Sequence, residues 1–404
     1  MYSTGRGKSP LTMQNVIITG VLLLLTLALV STWGDLPGNS PTSLANPKDA
    51  VMEVSEKNTS MALVETVEEP VSVTLDHITP VASEISLRHI KHYTSVNDAS
   101  AAKYLVCVIT RGKESWEKNE GRQRSIADFI QMVNITSGLP LRHMSLAILT
   151  TSGSYYDLLL DELSDSPFAK THILHYTPSE HLERPTDRHD PNFQPARRHT
   201  LAVTRNVLML RTLADEEHII WYDADLLTSD VGLVSRMVEQ AEADITKPQG
   251  KELDTLMRLP VGLITARVVR GDDQSYDRNA WVGEEGKAGS ARVSPTPEQE
   301  EARRKGELYE ARPAPGSRYL DVLTQGTSND DLVMLDSVGG VILYMRAELV
   351  RAGLSFPPYF VVGTSWDMVN GWDGIETEGL CFVARTLGWG CYGLGGSWKV
   401  RHCD

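Results

Sequence analysis

The sequence predicts an α/β fold, a mostly parallel sheet flanked by helices, preceded by a transmembrane helix and a stem. Three observations predict it. From residue 104 onward short apolar runs alternate with amphipathic stretches. One of those runs, Ile219-Ile220-Trp221-Tyr222, leads straight into Asp223 and Asp225. The N-terminal third opens with an uncharged apolar run and continues in polar, Pro-containing sequence. Strands separated by helices imply parallel pairing with right-handed crossovers.

In chain order, "YLVCVIT" (104–110) reads as a first strand and "RQRSIADFIQMVNI" (122–135) as a helix. "MSLAILTT" (144–151) is a second strand, and "YYDLLLDELS" (155–164) has helical spacing. "THILHYT" (171–177) is a third strand, followed by the long helix "RRHTLAVTRNVLMLRTLA" (197–214). The fourth strand carries the two aspartates. Segment 250–330 breaks the alternation with charge, Gly and Pro, and reads in part as a flap over the site. The stretch "LDSVGGVILYM" (335–345) gives a strand after its pair Gly339-Gly340, residues 374–388 read as a helix, and "CYGLGGSWKVRH" closes the pattern. His175, His181, His189 and His199 match no metal-ligand spacing, and the segment holding them reads as a loop.

Asp223 and Asp225 are the sharpest local feature. Side chains at i and i+2 of an extended chain share a face, roughly 7 Å apart. Like charges so placed repel unless a cation or hydrogen-bond donor lies between them. The plain alternative is a strand end leading to a helix cap at Ser229 or Asp230. Ligands of open α/β sheets bind at the carboxyl ends of the strands, where these aspartates fall.

The N-terminus sets the setting. Arg6 and Lys8 precede the uncharged run 16–33, which reads as an uncleaved anchor, because Trp33 spoils a small-residue cleavage site. The expected order is a cytosolic tail (1–15), a transmembrane signal-anchor (16–33), a lumenal stem (34–100) and a catalytic domain (101–404). Sequons at Asn58 and Asn134 fit lumenal exposure. A formal charge of -14 argues against nucleic acid as a partner. Cys107 lies in an apolar strand as a buried thiol; Cys381, Cys391 and Cys403 allow one disulfide whose pairing the sequence leaves open.

Seven stretches in order over residues 122–402 resemble one family: "RRHTLAVTRN", "WYDADL", "DITKPQ", "SYDRNAWVGEEG", "LDSVGGVILYMRAELVRAGLSFPPY", "ETEG" and the terminal His402. The chain resembles the Anp-type subunits of fungal mannan polymerases, Golgi α-mannosyltransferases of GT-A fold. It departs from them at Tyr222, where members usually carry Arg, and members continue past the last His, whereas this sequence ends at Asp404.

The resemblance implies GDP-mannose as donor, a glycan acceptor and Mn²⁺ or another divalent cation. It also implies a single-pass type II Golgi membrane protein and hetero-oligomers with related transferases. Asp223, Asp225 and His402 are the implied metal set, with Asp225 in direct contact and Asp223 reaching ribose or a bound water. Asp277 is expected at the donor sugar or diphosphate, beside Asn279 and Trp281. Arg205 and Asn206 are further donor-side candidates, and Arg122 and Arg124 share that candidacy; for each arginine a plain exposed side chain is the alternative. Asp336, Glu376 and Glu378 are candidates for the acceptor. Retention of configuration, by front-face attack assisted by the departing phosphate, also follows from the resemblance. A different sugar nucleotide on the same scaffold, or a non-catalytic stabilising subunit, are the alternatives.

Overall fold

The computed structural model describes residues 81–119, 121–177, 194–246, 259–283, 318–359 and 374–403. All fall within one compact unit, Thr74–Asp404. The strands are β1 (Val81–Leu87), β2 (Ile90–Val96), β3 (Tyr104–Thr110), β4 (Lys118–Asn119), β5 (Arg122–Gln123), β6 (Met144–Thr150) and β7 (Lys170–Tyr176). There follow β8 (His218–Asp223), β9 (Leu226–Ser229), β10 (Val261–Thr265), β11 (Arg267–Arg270), β12 (Gln274–Ser275) and β13 (Trp281–Val282). The last are β14 (Arg318–Tyr319), β15 (Leu332–Leu335), β16 (Ile342–Arg346), β17 (Gly390–Leu394) and β18 (Lys399–His402). The longer helices are α1 (Ile126–Thr136), α2 (Gly153–Glu162), α3 (Gln194–Thr212), α4 (Leu233–Thr246) and α5 (Thr377–Thr386).

Ten strands form one sheet in the order β1-β2-β7-β6-β3-β8-β16-β10-β17-β15. Pairing directions show that β1, β3, β6, β7, β8, β10 and β17 point one way and β2, β15 and β16 the other. The expected mostly parallel sheet is present, with three reversed strands inside and beside it. Period-2 alternation sends each central strand's side chains to two cores. Val106, Val108, Ile220 and Tyr222 pack with α1, α2 and α4 on one face. Leu105, Cys107, Ile219 and Trp221 pack with α3 and α5 on the other. Strands buried on both faces read as continuous apolar runs, which is why β3 and β6 were visible in the sequence.

Several expectations need correction. The sheet begins at Val81, so the segment read as stem contributes β1 and β2. Residues 250–330 were read as breaking the pattern, yet "VGLIT" is β10, buried throughout and set between β16 and β17. The rest of that segment on either side of 259–283, up to residue 317, lies outside the described residues, as do the run 16–33 and most of the loop holding His181 and His189. Among the described residues no helix is long and apolar enough to cross a membrane. Cys381 on α5 is joined to Cys391 on β17, leaving Cys107 and Cys403 as buried thiols.

One buried polar cluster predicts acid sensitivity. The His92 and His172 rings, on neighbouring strands β2 and β7, meet at 3.2 Å, with the Thr94 hydroxyl 3.2 Å from each. Burial, then the charge of His92, holds His172 down to about 4 from its ordinary 6.5. The unfolded chain therefore takes up a proton that the folded chain refuses. Stability is full above pH 6.5 and falls as pH drops toward 4; the gap of about 2.5 pH units corresponds to about 3 kcal/mol. Urea unfolding from pH 7 to pH 4 should show that loss, and His172→Gln should lose less. Equal losses in both proteins would remove this role from His172.

Candidate functional site

The site is built where β8 leaves the core. Asp223 closes β8 and its N–H donates to the Val341 carbonyl (2.9 Å). The chain turns at Ala224-Asp225 and enters β9, so the aspartates do not lead directly into a helix cap. β9 belongs to a second sheet of order β12-β11-β18-β9. The β9–β18 register slips between Arg401 and His402, an irregularity that re-aims a side chain. His402 Nε2 then lies 3.0 Å from Asp225 Oδ2. Its Nδ1–H donates to the Cys403 carbonyl (2.6 Å), and the Cys403 N–H in turn donates to the Asp225 carbonyl (3.1 Å). Tyr276, next to Asp277 in sequence, stacks on the imidazole with ring centroids 4.2 Å apart. A ring nitrogen fixed as donor on Nδ1 directs Nε2 at the carboxylate.

Asp223 has different company. Its Oδ1 is 3.2 Å from the Arg205 guanidinium, which also reaches Glu376 Oε1 (2.7 Å) and the Gly340 carbonyl (3.2 Å). Arg205 lies over the rings of Trp221 and Phe356, at 5.4 and 5.2 Å. Burial, opposed by Arg205 and reinforced by the charges of Asp225 and Glu376, pushes the Asp223 carboxyl up to about 7. Its side chain is still 38% exposed. Glu376 sits at φ +64°, in the left-handed region that costs a non-glycine residue free energy. Such strain collects where a side chain has to be aimed.

Asp277 completes the arrangement. Its Oδ1 accepts the Asn279 N–H (2.9 Å), and Oδ2 makes no hydrogen bond of acceptable geometry. The Gly340 and Val341 N–H groups are close enough to favour its charged form, but burial dominates and raises its pKa. The pair Gly339-Gly340 is explained here: a Cβ at Gly339 would collide with Asp277 Oδ2, and one at Gly340 would crowd Arg205. Four carboxylates, Asp223, Asp225, Asp277 and Glu376, thus share the region with Arg205 and His402. Oxygen donors with one imidazole suit a divalent cation such as Mn²⁺. Asp225 and His402 are the two side chains here that could hold one; Asp223 faces Arg205 in this arrangement.

Other expected residues are placed elsewhere or used otherwise. Arg122 is 69% exposed and pairs with Asp128 at 2.5 Å, where Asp128 also accepts the Ser125 N–H at the start of α1. Arg124 is the buried one: its guanidinium donates to the Trp116 carbonyl (3.2 Å) and comes within 3.5 Å of the Ala224 carbonyl, between the two aspartates. Asn206 grips the backbone of Phe356 with both ends of its amide, at 2.7 and 2.8 Å. It holds up the ring under Arg205 and is not free for a donor. Asn206→Leu should cost about 1–2 kcal/mol by stranding that backbone pair, measured by urea unfolding; no loss would make the clasp dispensable.

Asp336 is spent on the fold as well. One oxygen takes Arg385 (2.6 Å) and the other the Gly283 N–H (2.7 Å). Trp281 is buried, and its carbonyl accepts the N–H groups of Asp336 and Ser337. Glu378 pairs with Arg198 at 2.8 Å. Tyr222, at the departure from the family pattern, points into the core, edge-on to Phe129. The sequence named Arg124 as a candidate alongside Arg122, and it missed Tyr276 as a neighbour of the site, though Tyr276 adjoins Asp277. Among the described residues, the one group of three side chains whose ligand atoms converge closely enough for an ion is Glu217, His218 and Glu242, at the opposite end of β8; Asp223, Asp225 and His402 do not converge as a set of three.

The Anp1 family model matches residues 157–360, half of the chain. Over 215 residues the chain is 26% identical to the mannan polymerase complex subunit mnn9 of Schizosaccharomyces pombe, covering 52% of this chain and 53% of that protein. It is 26% identical over 211 residues to the mannan polymerase complex subunit MNN9 of Candida albicans, covering 52% and 50%. A vanadate resistance protein of Candida albicans is 25% identical over 210 residues, covering 52% and 41%. The chain spans about half the length of the curated relatives it matches.

Proposed function

The chain belongs to the Anp1 family, and on that premise we propose that it is a mannosyltransferase subunit of mannan polymerase type, transferring mannose from GDP-mannose to a glycan acceptor. The observation that carries this reading is the pair Asp225–His402, with its imidazole fixed by Cys403, at the carboxyl end of a central strand. In this reading Asp225 and His402 would hold Mn²⁺ or another divalent cation, whose positive charge would favour departure of GDP. The protein's own side chains supply the rest. Arg205, itself anchored by Glu376, holds Asp223 in place. Asp277 is fixed by the Asn279 N–H on one oxygen, with the other buried against Gly339, and it contributes negative charge to the site. Tyr276 covers the imidazole and shields it from water on that side.

The proposed setting is a Golgi membrane, crossed once by residues 16–33 with the catalytic domain lumenal. Related transferases are the expected partners, since two relatives are named as subunits of a complex. A second reading, a stabilising subunit without its own chemistry, draws on one observation. Asp223 is committed to Arg205, and Asn206 and Asp336 to the fold. GDP release from GDP-mannose with an oligomannoside acceptor separates the two. The enzyme reading expects release with Mn²⁺ and none with a chelator. A purified chain that binds its complex partner but releases no GDP under either condition would favour the scaffold.

A further inference from the structure

The end of β8 away from Asp223 carries a second constellation. Glu217, His218 and Glu242 each offer a ligand atom, and these atoms all lie within 4.8 Å of one another. His218 opens β8, and Glu242 stands on α4, which packs over that face of the sheet. Glu217 stands just before the strand. Its N–H donates to the Lys103 carbonyl (2.9 Å) and its carbonyl accepts the Ala347 N–H (3.1 Å), so its backbone is held on both sides.

The imidazole is fixed from every side but one. The His218 side chain is only 4% exposed. Tyr104, its partner in the β3–β8 register, stacks on the ring with centroids 5.3 Å apart. The hydroxyl of the buried Tyr344, on β16, meets Nδ1 at 2.8 Å. Nε2 remains, and it faces Glu242 Oε1 at 3.3 Å and Glu217 Oε2 at 3.8 Å.

A hydrogen bond explains one of those contacts and not both, since Nε2 carries at most one proton. Burial lowers the pKa of His218, so the ring brings no positive charge to hold two carboxylates together. Arg346 is opposite His218 in the β8–β16 pairing, but its guanidinium is engaged by the Val261 and Ala241 carbonyls. The two glutamates are 66% and 57% exposed and have water available, yet both turn toward one buried nitrogen. Zinc bonds of 2.0–2.2 Å at a tetrahedral angle set donor atoms about 3.4 Å apart, close to the two separations seen. A metal-bound imidazole is typically oriented by a partner on its other nitrogen, the place Tyr344 takes. We propose that Glu217, His218 and Glu242 form a zinc site that clips the start of β8 to α4, with water completing the coordination on the exposed side. The imidazole favours zinc over magnesium or calcium. The site is separate from Asp225 and His402 and does not depend on the mannosyltransferase reading.

The test uses the full chain, freed of metal by a chelator, with zinc as the probe. Calorimetry should find a zinc ion bound in Asp225→Asn, where the other candidate site has lost its charge, and excess magnesium should not displace it. Adding Glu217→Gln and Glu242→Gln should weaken zinc binding about a hundredfold or more, the scale of losing two charged partners. Both side chains are exposed, so urea unfolding should show the fold intact. Tyr344→Phe, which leaves Nδ1 without its partner, should weaken binding about tenfold. Zinc-edge anomalous diffraction from crystals of the full chain should place a peak within bonding distance of His218 Nε2. No zinc bound in Asp225→Asn, an affinity unchanged by the two glutamine substitutions, or displacement by magnesium would overturn the site.

Discussion

Asp225→Asn is expected to weaken Mn²⁺-dependent GDP binding by about 2 kcal/mol or more, the scale of losing a charged partner at an ion site. Asn keeps the shape of the side chain and removes its charge, so the change isolates electrostatics. Asp225 Oδ2 faces His402 Nε2 at 3.0 Å, and its side chain is partly exposed. Stability should therefore move by no more than about 1 kcal/mol. Calorimetry of GDP with Mn²⁺ and urea unfolding together check both halves. Unchanged GDP affinity would remove the metal role assigned to Asp225. Loss of fold with loss of binding would make the carboxylate structural.

Arg205→Met should have the opposite profile, a large loss of stability. The guanidinium joins three elements: it leaves α3, holds Asp223 at the end of β8 and holds Glu376 at the start of α5. Removing it strands Glu376, whose remaining partner is the Thr377 hydroxyl at 2.9 Å. Breaking a buried ion pair by deleting one partner costs about 3–5 kcal/mol. Adding Glu376→Gln to Arg205→Met should recover part of that loss, because the stranded charge is then gone. Urea unfolding of the two singles and the double reads the coupling. A loss below about 1 kcal/mol for Arg205→Met would mean that water, not Arg205, satisfies these carboxylates.

Much of the fold was legible, for a physical reason that also explains the omissions. β3 and β6 are buried on both faces and stand out as unbroken apolar runs. β10 is equally buried, but "VGLIT" is short, contains glycine and sits in charged sequence that masks it. β1 and β2 carry Glu, Ser, Lys, His and Thr, because β1 is exposed throughout and β2 only partly covered; their composition resembles a stem. The reversal at β16 depends on pairing with β8 and β10 across the sheet, which local spacing cannot encode.

At the site, the aspartates were legible because a strand end is a local property. The partners of polar residues were not. Asn206 clasping Phe356, and Asp336 clasping Arg385 and Gly283, look in sequence the same as side chains awaiting a sugar. Arg122 and Arg124 share a loop, and only the folded chain shows that Arg124 turns inward while Arg122 pairs with Asp128 in solvent. The Gly339-Gly340 pair reads as a turn until Asp277 and Arg205 are seen pressed against it.

The central claim is that Asp225 and His402 hold a divalent cation where a nucleotide diphosphate binds. Anomalous diffraction from crystals of the full chain grown with GDP and Mn²⁺ tests it most directly. The account predicts a Mn²⁺ peak within bonding distance of Asp225 and His402, with the GDP phosphates on its open side. A peak confined to Glu217, His218 and Glu242 at the far end of β8, or GDP bound at the aspartates with no metal beside it, would contradict it.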